Sequence, residues 1–378
     1  MVLGDIMIYL DYSATTPVND EVLDTYNKVT KEYIGNANSI HSLGRKSKIL
    51  EEQSTHQIAS LLGVKDDEII YTSGASESNN TAIKGVINLY QNRGKHIITT
   101  PLEHDSVEVP LTYLERRGFK VDYLKLKEDG TIDLDYFKSI LDDETILVTL
   151  AAVSSEIGII QPYEEIGKIL KDYPKCFFHV DLTQAIGKIK INLEDVDMAS
   201  FSTHKLFGPK GIGVLVKKEH VVIEPLIQGG KSTTNFRAGT PALPLIASTA
   251  KALRLVLDNM DDKNNHVKEL SDYLKNNIKD MVEINSTEAS VPHIVNFSVP
   301  GIKAETLLHA LEEKEIYVST KTACSASSSY SKAVMTLTND VKRSSSSIRV
   351  SISYLTTKEE IDTFIKELKE ILKSIPRT

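Results

Sequence analysis

The chain has 378 residues, 41% hydrophobic and 25% charged, with a formal net charge of −8. This is the composition of an ordinary globular protein, long enough for two domains. The acidic balance argues against non-specific nucleic-acid binding, and no apolar run approaches the ~18 residues of a membrane span.

From about residue 15 to 255, strand-like runs alternate with amphipathic helical stretches. Glu68–Thr72 reads as a strand, Ser73-Gly74-Ala75 as a turn, and the following segment as a helix toward Asn92, stopped by Gly94. Lys95–Thr100, Val121–Leu126, Thr145–Val153, Cys176–Val180 and Ile212–Val216 are further strands, and Leu111–Arg117 belongs to a helix ended by Gly118. Such alternation predicts a mostly parallel sheet with helices on both faces. After residue 255 the pattern changes. Leu253–Met260 and Asp261–Lys279 read as one long helix. A strand near His293–Val299, a helix near Ala304–Lys314, a strand near Ser347–Ser353 and a terminal helix Lys358–Ile375 follow. Ser325–Ser331 and Ser344–Ser347 read as solvated loops. Domains are therefore placed at 15–255 and at 1–14 with 256–378.

Two cysteines, Cys176 and Cys324, exclude a disulfide scaffold and suit a reducing cytoplasm. The N-terminus, MVLGDIMIYLDYS, lacks the basic start and long apolar stretch of a signal peptide. No Cys/His cluster has metal-ligand spacing, so no metal is expected.

Four segments carry chemistry. Ser200–Gly213, SFSTHKLFGPKGIG, sets Lys205 among Ser202, Thr203 and His204 ahead of a glycine-rich turn. That suits a lysine bound to pyridoxal phosphate (PLP), although a surface lysine before a turn has the same letters. Phe177–Lys188, FFHVDLTQAIGK, ends an apolar run in Asp181, where a carboxylate can pair with a pyridine nitrogen; Gln184 can donate to the ring's phenolic oxygen. The competing reading is that Asp181 caps a following helix. Tyr71–Asn80, YTSGASESNN, is a strand, turn and helix start that binds an anion through backbone amides and Ser76, or simply an N-cap. His104, in Glu103-His104, can stack on a flat cofactor and move protons, or be a satisfied loop histidine.

Together with DYSATTP (11–17), GNANSIHSLGR (35–45), FRAGT (236–240), STKTACSAS (319–327) and SSSIR (345–349), these segments resemble the cysteine desulfurases. That group lies in the class V aminotransferase branch of fold-type-I PLP enzymes. The resemblance covers nearly the whole chain. It implies an α/β fold with a large, mostly parallel seven-stranded sheet domain and a smaller α+β domain carrying the cysteine loop. It implies that Lys205 forms the Schiff base, Asp181 pairs with the ring nitrogen, Gln184 and Ser155 contact the ring oxygen, and His104 stacks and handles protons. Ala75 (through its backbone), Ser76, Ser202 and His204 would hold the phosphate. Thr240 would reach the phosphate of the partner subunit in a homodimer, and Arg349 would clamp the substrate carboxylate. Cys324 would take sulfur from L-cysteine as a persulfide, leaving alanine, and pass it to a scaffold or tRNA-thiolation protein. Cys176 reads as inert. The Ser-rich stretch after Cys324 resembles the long-loop group of the family and would serve as a mobile tether.

The chain departs from the family pattern at Ser155, where asparagine is usual, at Lys321-Thr322, at Gly229–Phe236 and at Gly35–Ser39. Three other readings stay open. One is a PLP lyase or transaminase for which Cys324 is incidental, another a selenocysteine lyase, and the third a divergent relative kept as a structural partner.

Overall fold

Apolar runs too short for helices make the centre of the molecule. The computed structural model describes residues 7–230, 233–320 and 330–376. In chain order the elements are β1 (Ile8–Tyr9), α1 (Asp20–Glu32), α2 (Ser42–Leu62), β2 (Ile69–Thr72), α3 (Ala75–Tyr90), β3 (His96–Thr99), α4 (Asp105–Glu115), β4 (Lys120–Tyr123), α5 (Leu134–Ile140), β5 (Thr145–Ala151), α6 (Tyr163–Leu170), β6 (Phe177–Asp181), β7 (Met198–Ser202) and β8 (Gly213–Lys217). Then come α7 (Leu243–Leu257), α8 (Met260–Ile278), β9 (Glu283–Ile284), β10 (Ile294–Ser298), α9 (Ala304–Glu312), β11 (Ile316–Tyr317), α10 (Lys332–Thr338), α11 (Val341–Ser345), β12 (Ser347–Ser351) and α12 (Lys358–Ser374).

Seven strands form the main sheet in the order β2-β8-β7-β6-β5-β3-β4. All neighbours run parallel except β8, which is antiparallel to both β2 and β7. β5, β6 and β7 are buried along nearly their whole length, because helices cover both faces. The register pairs Ala151 with Asp181 and Asp181 with Ser200, so the carboxyl ends of β5, β6 and β7 lie side by side. Ligands bind at that edge of an open parallel sheet.

A second hydrophobic core lies around the three-stranded sheet β12-β10-β9. It takes Ile8 and Leu10 from the N-terminus and Val267, Leu311 and Phe364 from α8, α9 and α12. The N-terminal segment ties this core to the main sheet. The Ser351 amide donates to the Leu10 carbonyl, and the Thr16 amide donates to the His204 carbonyl. Among the described residues, no helix is long and apolar enough to cross a membrane.

Three expectations need correction. The long helix through residues 253–279 is two helices: Asp258 is extended and Asn259 turns left-handed at φ 49°, a conformation asparagine tolerates. β7 was not anticipated; its small residues, MASFS, resemble a loop by composition. Ser344–Ser347 is no solvated loop. Ser344, Ser346 and Ser347 are buried, the Ser346 hydroxyl donating to the Lys342 carbonyl and that of Ser347 to Asn296 Oδ1. Ser331 likewise caps α10 from a buried position.

Candidate active site

A cavity of about 470 Å³ opens at the carboxyl ends of β5, β6 and β7. Ala75, Ser76, His104, Ser155 and Asp181 line it, as do Gln184, Ser202, His204, Lys205 and Arg349. Two cavities of similar volume elsewhere contain none of these residues. Thr240 is exposed and does not line the cavity. Cys324, with Lys321, Thr322 and Ser325–Ser329, lies outside the described residues, as do Lys231 and Ser232 of the 229–236 segment.

One wall is the start of α3. Its first-turn amides have no partners within the helix, and a helix start of this kind can bind an anion. The Ala75 amide points at the Ser202 hydroxyl, 3.2 Å away, which joins the helix start to the end of β7. The approach is tight: a Cβ on Gly213 would lie 2.6 Å from the backbone of Gly74. Glu77 accepts from the Ser73 amide and from Arg237 Nε at 3.0 Å, tying the 236–240 segment to this turn. Burial pushes the Glu77 carboxyl up, but those two donors more than offset it and hold it below its ordinary value.

Asp181 forms the floor. Its Oδ1 accepts from the Thr183 amide at 2.8 Å and its Oδ2 from Asn79 Nδ2 at 2.7 Å. Asp181 thus caps a series of turns over residues 183–188 rather than an α-helix. His179 lies on the same side of β6 as Asp181, two residues earlier. Its ring is fully buried between Thr149 Oγ1 and Ser200 Oγ, and burial lowers its pKa to about 4. A neutral ring there leaves the negative charge on Asp181 for a ligand.

His104 caps α4. Its Nδ1 accepts from the Ser106 amide at 3.1 Å and lies 2.8 Å from the Ser106 hydroxyl. The neutral ring therefore carries its proton on Nε2. Asn79 Nδ2 also donates to Ser106 Oγ, so Asp181, Asn79, Ser106 and His104 form one chain of hydrogen bonds.

Lys205 ends a tight turn over Thr203–Lys205. Its Nζ donates to the carbonyls of Ser13 at 2.5 Å and Ala14 at 2.6 Å. The carbonyl of Ser13 also accepts from Gln184 Nε2 at 2.9 Å, and Gln184 Oε1 accepts from Lys188 Nζ at 2.5 Å. His204 lies against Thr15 Oγ1; burial first, then the charges of Lys205 and Lys210, lower its pKa to about 4. Arg349, 1% exposed, donates from Nη2 to Asp11 Oδ1 at 2.8 Å and from Nη1 to the Ser155 carbonyl at 3.0 Å. Its Nε has no partner among the described residues.

The sequence reading missed six groups: the carbonyls of Ser13 and Ala14, and the side chains of Asn79, Ser106, Thr183 and Lys188. Helical spacing held a signal for one, since Asn79 sits four residues past Ala75 on the same face of α3. Cys176 behaves as read. It is buried ahead of β6, and burial pushes its thiol far above the ordinary range.

The donor set suits pyridoxal phosphate. A helix start with the Ser202 hydroxyl matches a phosphate, a buried carboxylate matches a ring nitrogen, and an amine matches an aldehyde. The buried Thr183 hydroxyl lines the cavity with no partner among the described residues, an acceptor or donor left for a ligand.

Comparison with known proteins points the same way. The Aminotransferase class-V family model matches residues 8–364. A NifS/IcsS protein homolog from Lactobacillus delbrueckii subsp. bulgaricus is 42% identical over 375 residues, 97% of this chain and 97% of its own. The cysteine desulfurase IscS of Dictyoglomus turgidum is 38% identical over 97% of this chain and 95% of its own. A solved NifS-like protein superposes with a TM-score of 0.93 at 35% identity, covering 98% of this chain and all of that one.

Proposed function

Because the chain belongs to the class-V aminotransferase family and aligns along almost its full length with cysteine desulfurases, we infer that the pocket around Lys205 takes sulfur from L-cysteine and releases L-alanine. The enzyme is a pyridoxal-phosphate-dependent cysteine desulfurase. The observation that carries the residue assignments is the meeting of ten motif residues, scattered from residue 75 to 349, in one cavity.

Bound pyridoxal phosphate supplies an aldehyde that condenses with amines and a ring that accepts the electrons released at Cα. Lys205 Nζ would hold the cofactor, and as a free amine it is placed to move the Cα proton. Asp181, fixed by Asn79 and Thr183, keeps the ring nitrogen protonated. The α3 amides of Ala75 and Ser76, with Ser202 and His204, hold the phosphate; a neutral His204 serves as hydrogen-bond donor rather than charge. Gln184 and Ser155 attend the ring oxygen. The serine hydroxyl is shorter than the amide usual in the family, so more of that task falls to Gln184. His104, its Nδ1 fixed by Ser106, presents Nε2–H to the substrate. Arg349 receives the carboxylate of cysteine, its planar donors held by Asp11 and Ser155.

Cys324 is the sulfur acceptor in this reading, and the stretch that follows it is the tether of the long-loop group, ending before Ser331, the buried cap of α10. We further assign a homodimer in which Thr240 completes the partner's phosphate site; its exposure outside its own cavity supports this. A cytoplasmic location suits a chain with only two cysteines. Delivery goes to a scaffold protein for iron–sulfur assembly or to a tRNA-thiolation enzyme, and the separate core of residues 8–10 and 267–371 supports a division into a cofactor unit (15–255) and a smaller unit (1–14 and 256–378). The test is to incubate the purified yellow protein with L-cysteine and reductant and to measure alanine and sulfide. Lys205→Ala is expected to lose both products and the colour, and Cys324→Ala to lose sulfur transfer and alanine turnover. Alanine release unchanged in Cys324→Ala rejects the persulfide role.

A further inference from the structure

Lys188 is half-buried, and among the described residues no acid pairs with it. It lies in the turns that follow Asp181, four residues beyond Gln184, and its backbone carbonyl is held by Asn264 Nδ2. Among the described residues its one side-chain hydrogen bond is to Gln184 Oε1, at 2.5 Å. Burial pushes its pKa down to about 7, and the positive charges of Lys205 and Arg349 push the same way. The other titratable group facing it, His293, is held near 3 by burial and by Lys188 itself. Nothing here stabilises a lysine for its own sake, and burying one carries a desolvation cost.

What the amine does is choose an orientation. The two ends of a carboxamide have nearly the same shape and opposite hydrogen-bonding character. Lys188 can bond only to the oxygen end while it carries its proton. The carbonyl of Ser13, on the other side, can bond only to the nitrogen end. That same carbonyl accepts from Lys205 Nζ, so Lys188, Gln184, the Ser13 carbonyl and Lys205 form a continuous line.

We propose that Lys188 is a positioning residue of the cofactor pocket: it locks the Gln184 carboxamide so that this side chain offers the cofactor a donor and not an acceptor. The proposal rests on the reading of Gln184 as a cofactor contact. Lys188 touches neither substrate nor reacting atoms; it acts through Gln184 alone.

A double-mutant cycle on the full-length apoprotein tests it, read by pyridoxal-phosphate affinity from visible absorbance and by the pH midpoint of that absorbance. Gln184→Ala and Lys188→Met are each expected to weaken cofactor binding about tenfold and to move the midpoint in the same direction. The double variant is expected to match Gln184→Ala. Losses that multiply in the double variant, or a Lys188→Met protein indistinguishable from the parent while Gln184→Ala is impaired, overturn the role of Lys188. Parental binding by Gln184→Ala instead overturns the reading of Gln184 on which it depends. Thermal unfolding of each apoprotein checks the fold, and Lys188→Gln takes the place of Lys188→Met in the same cycle if the latter is insoluble.

Discussion

The floor and the rim of the pocket are built differently. On the floor, Asp181 has both oxygens engaged, by Asn79 and Thr183, and His179 is pinned at both nitrogens by Thr149 and Ser200. These bonds come from neighbouring strand ends and α3, so the carboxylate is fixed before any ligand arrives. On the rim, Lys205 is held by backbone carbonyls and Arg349 by the Asp11 carboxylate and the Ser155 carbonyl, with Arg349 Nε left without a partner among the described residues. A carboxylate fixed in advance supplies electrostatics without reorganisation. An incompletely paired rim keeps donors for substrate and cofactor.

The difference predicts a division in kinetics. Asp181→Ala, a floor change, is expected to lower kcat about a hundredfold or more, with a smaller effect on KM for cysteine. Arg349→Lys, a rim change, loses the planar fork but keeps the charge. It is expected to raise KM about tenfold with kcat largely kept. Steady-state alanine release measures both, and a KM effect from Asp181→Ala with unchanged kcat breaks the comparison.

Glu103 sharpens it from beneath. Its carboxyl accepts from the Thr100 hydroxyl and the Ala151 amide at the end of β5, yet burial dominates and raises its pKa to about 8, helped by the charge of Asp181. The folded chain therefore binds one more proton than the unfolded chain between about pH 4.5 and about 8. Stability contributed by that proton is whole below pH 4.5 and is lost as pH rises through 8. Glu103→Gln is expected to flatten this loss, by about 1–3 kcal/mol at the alkaline end, in denaturant unfolding of the apoprotein at pH 5 and pH 8. Equal pH dependence in the two proteins contradicts it. The smallest effect belongs to Cys176→Ala, expected to leave cysteine turnover unchanged and to cost about 1 kcal/mol of stability. A loss of activity there removes the contrast between a structural and a reactive cysteine.

The same contrast sets how much was legible in the sequence. Asp181 and Lys205 announce themselves because the chemistry lies in the side chain and the letters before them fix a strand end or a turn. The carbonyls of Ser13 and Ala14 do not, since every residue has a carbonyl and only the fold brings these two to Lys205 from 192 and 191 positions away. Local composition also misled at three places. MASFS hides β7 behind small residues, and Asn259 breaks a helical pattern without a glycine or proline to mark it. The buried Ser344–Ser347 shows that a serine run is solvated only if tertiary partners leave its hydroxyls to water.

The central claim is that Lys205 holds the cofactor, and three lysines stand close enough to compete for that role: Lys205 and Lys210 line the cavity and Lys188 lies behind Gln184. Borohydride reduction of the holoprotein fixes the cofactor to whichever lysine holds it, and peptide mass spectrometry then locates it. The account predicts a single pyridoxyl-modified peptide carrying the label on Lys205; a label on Lys188 or Lys210, or none at all, contradicts it.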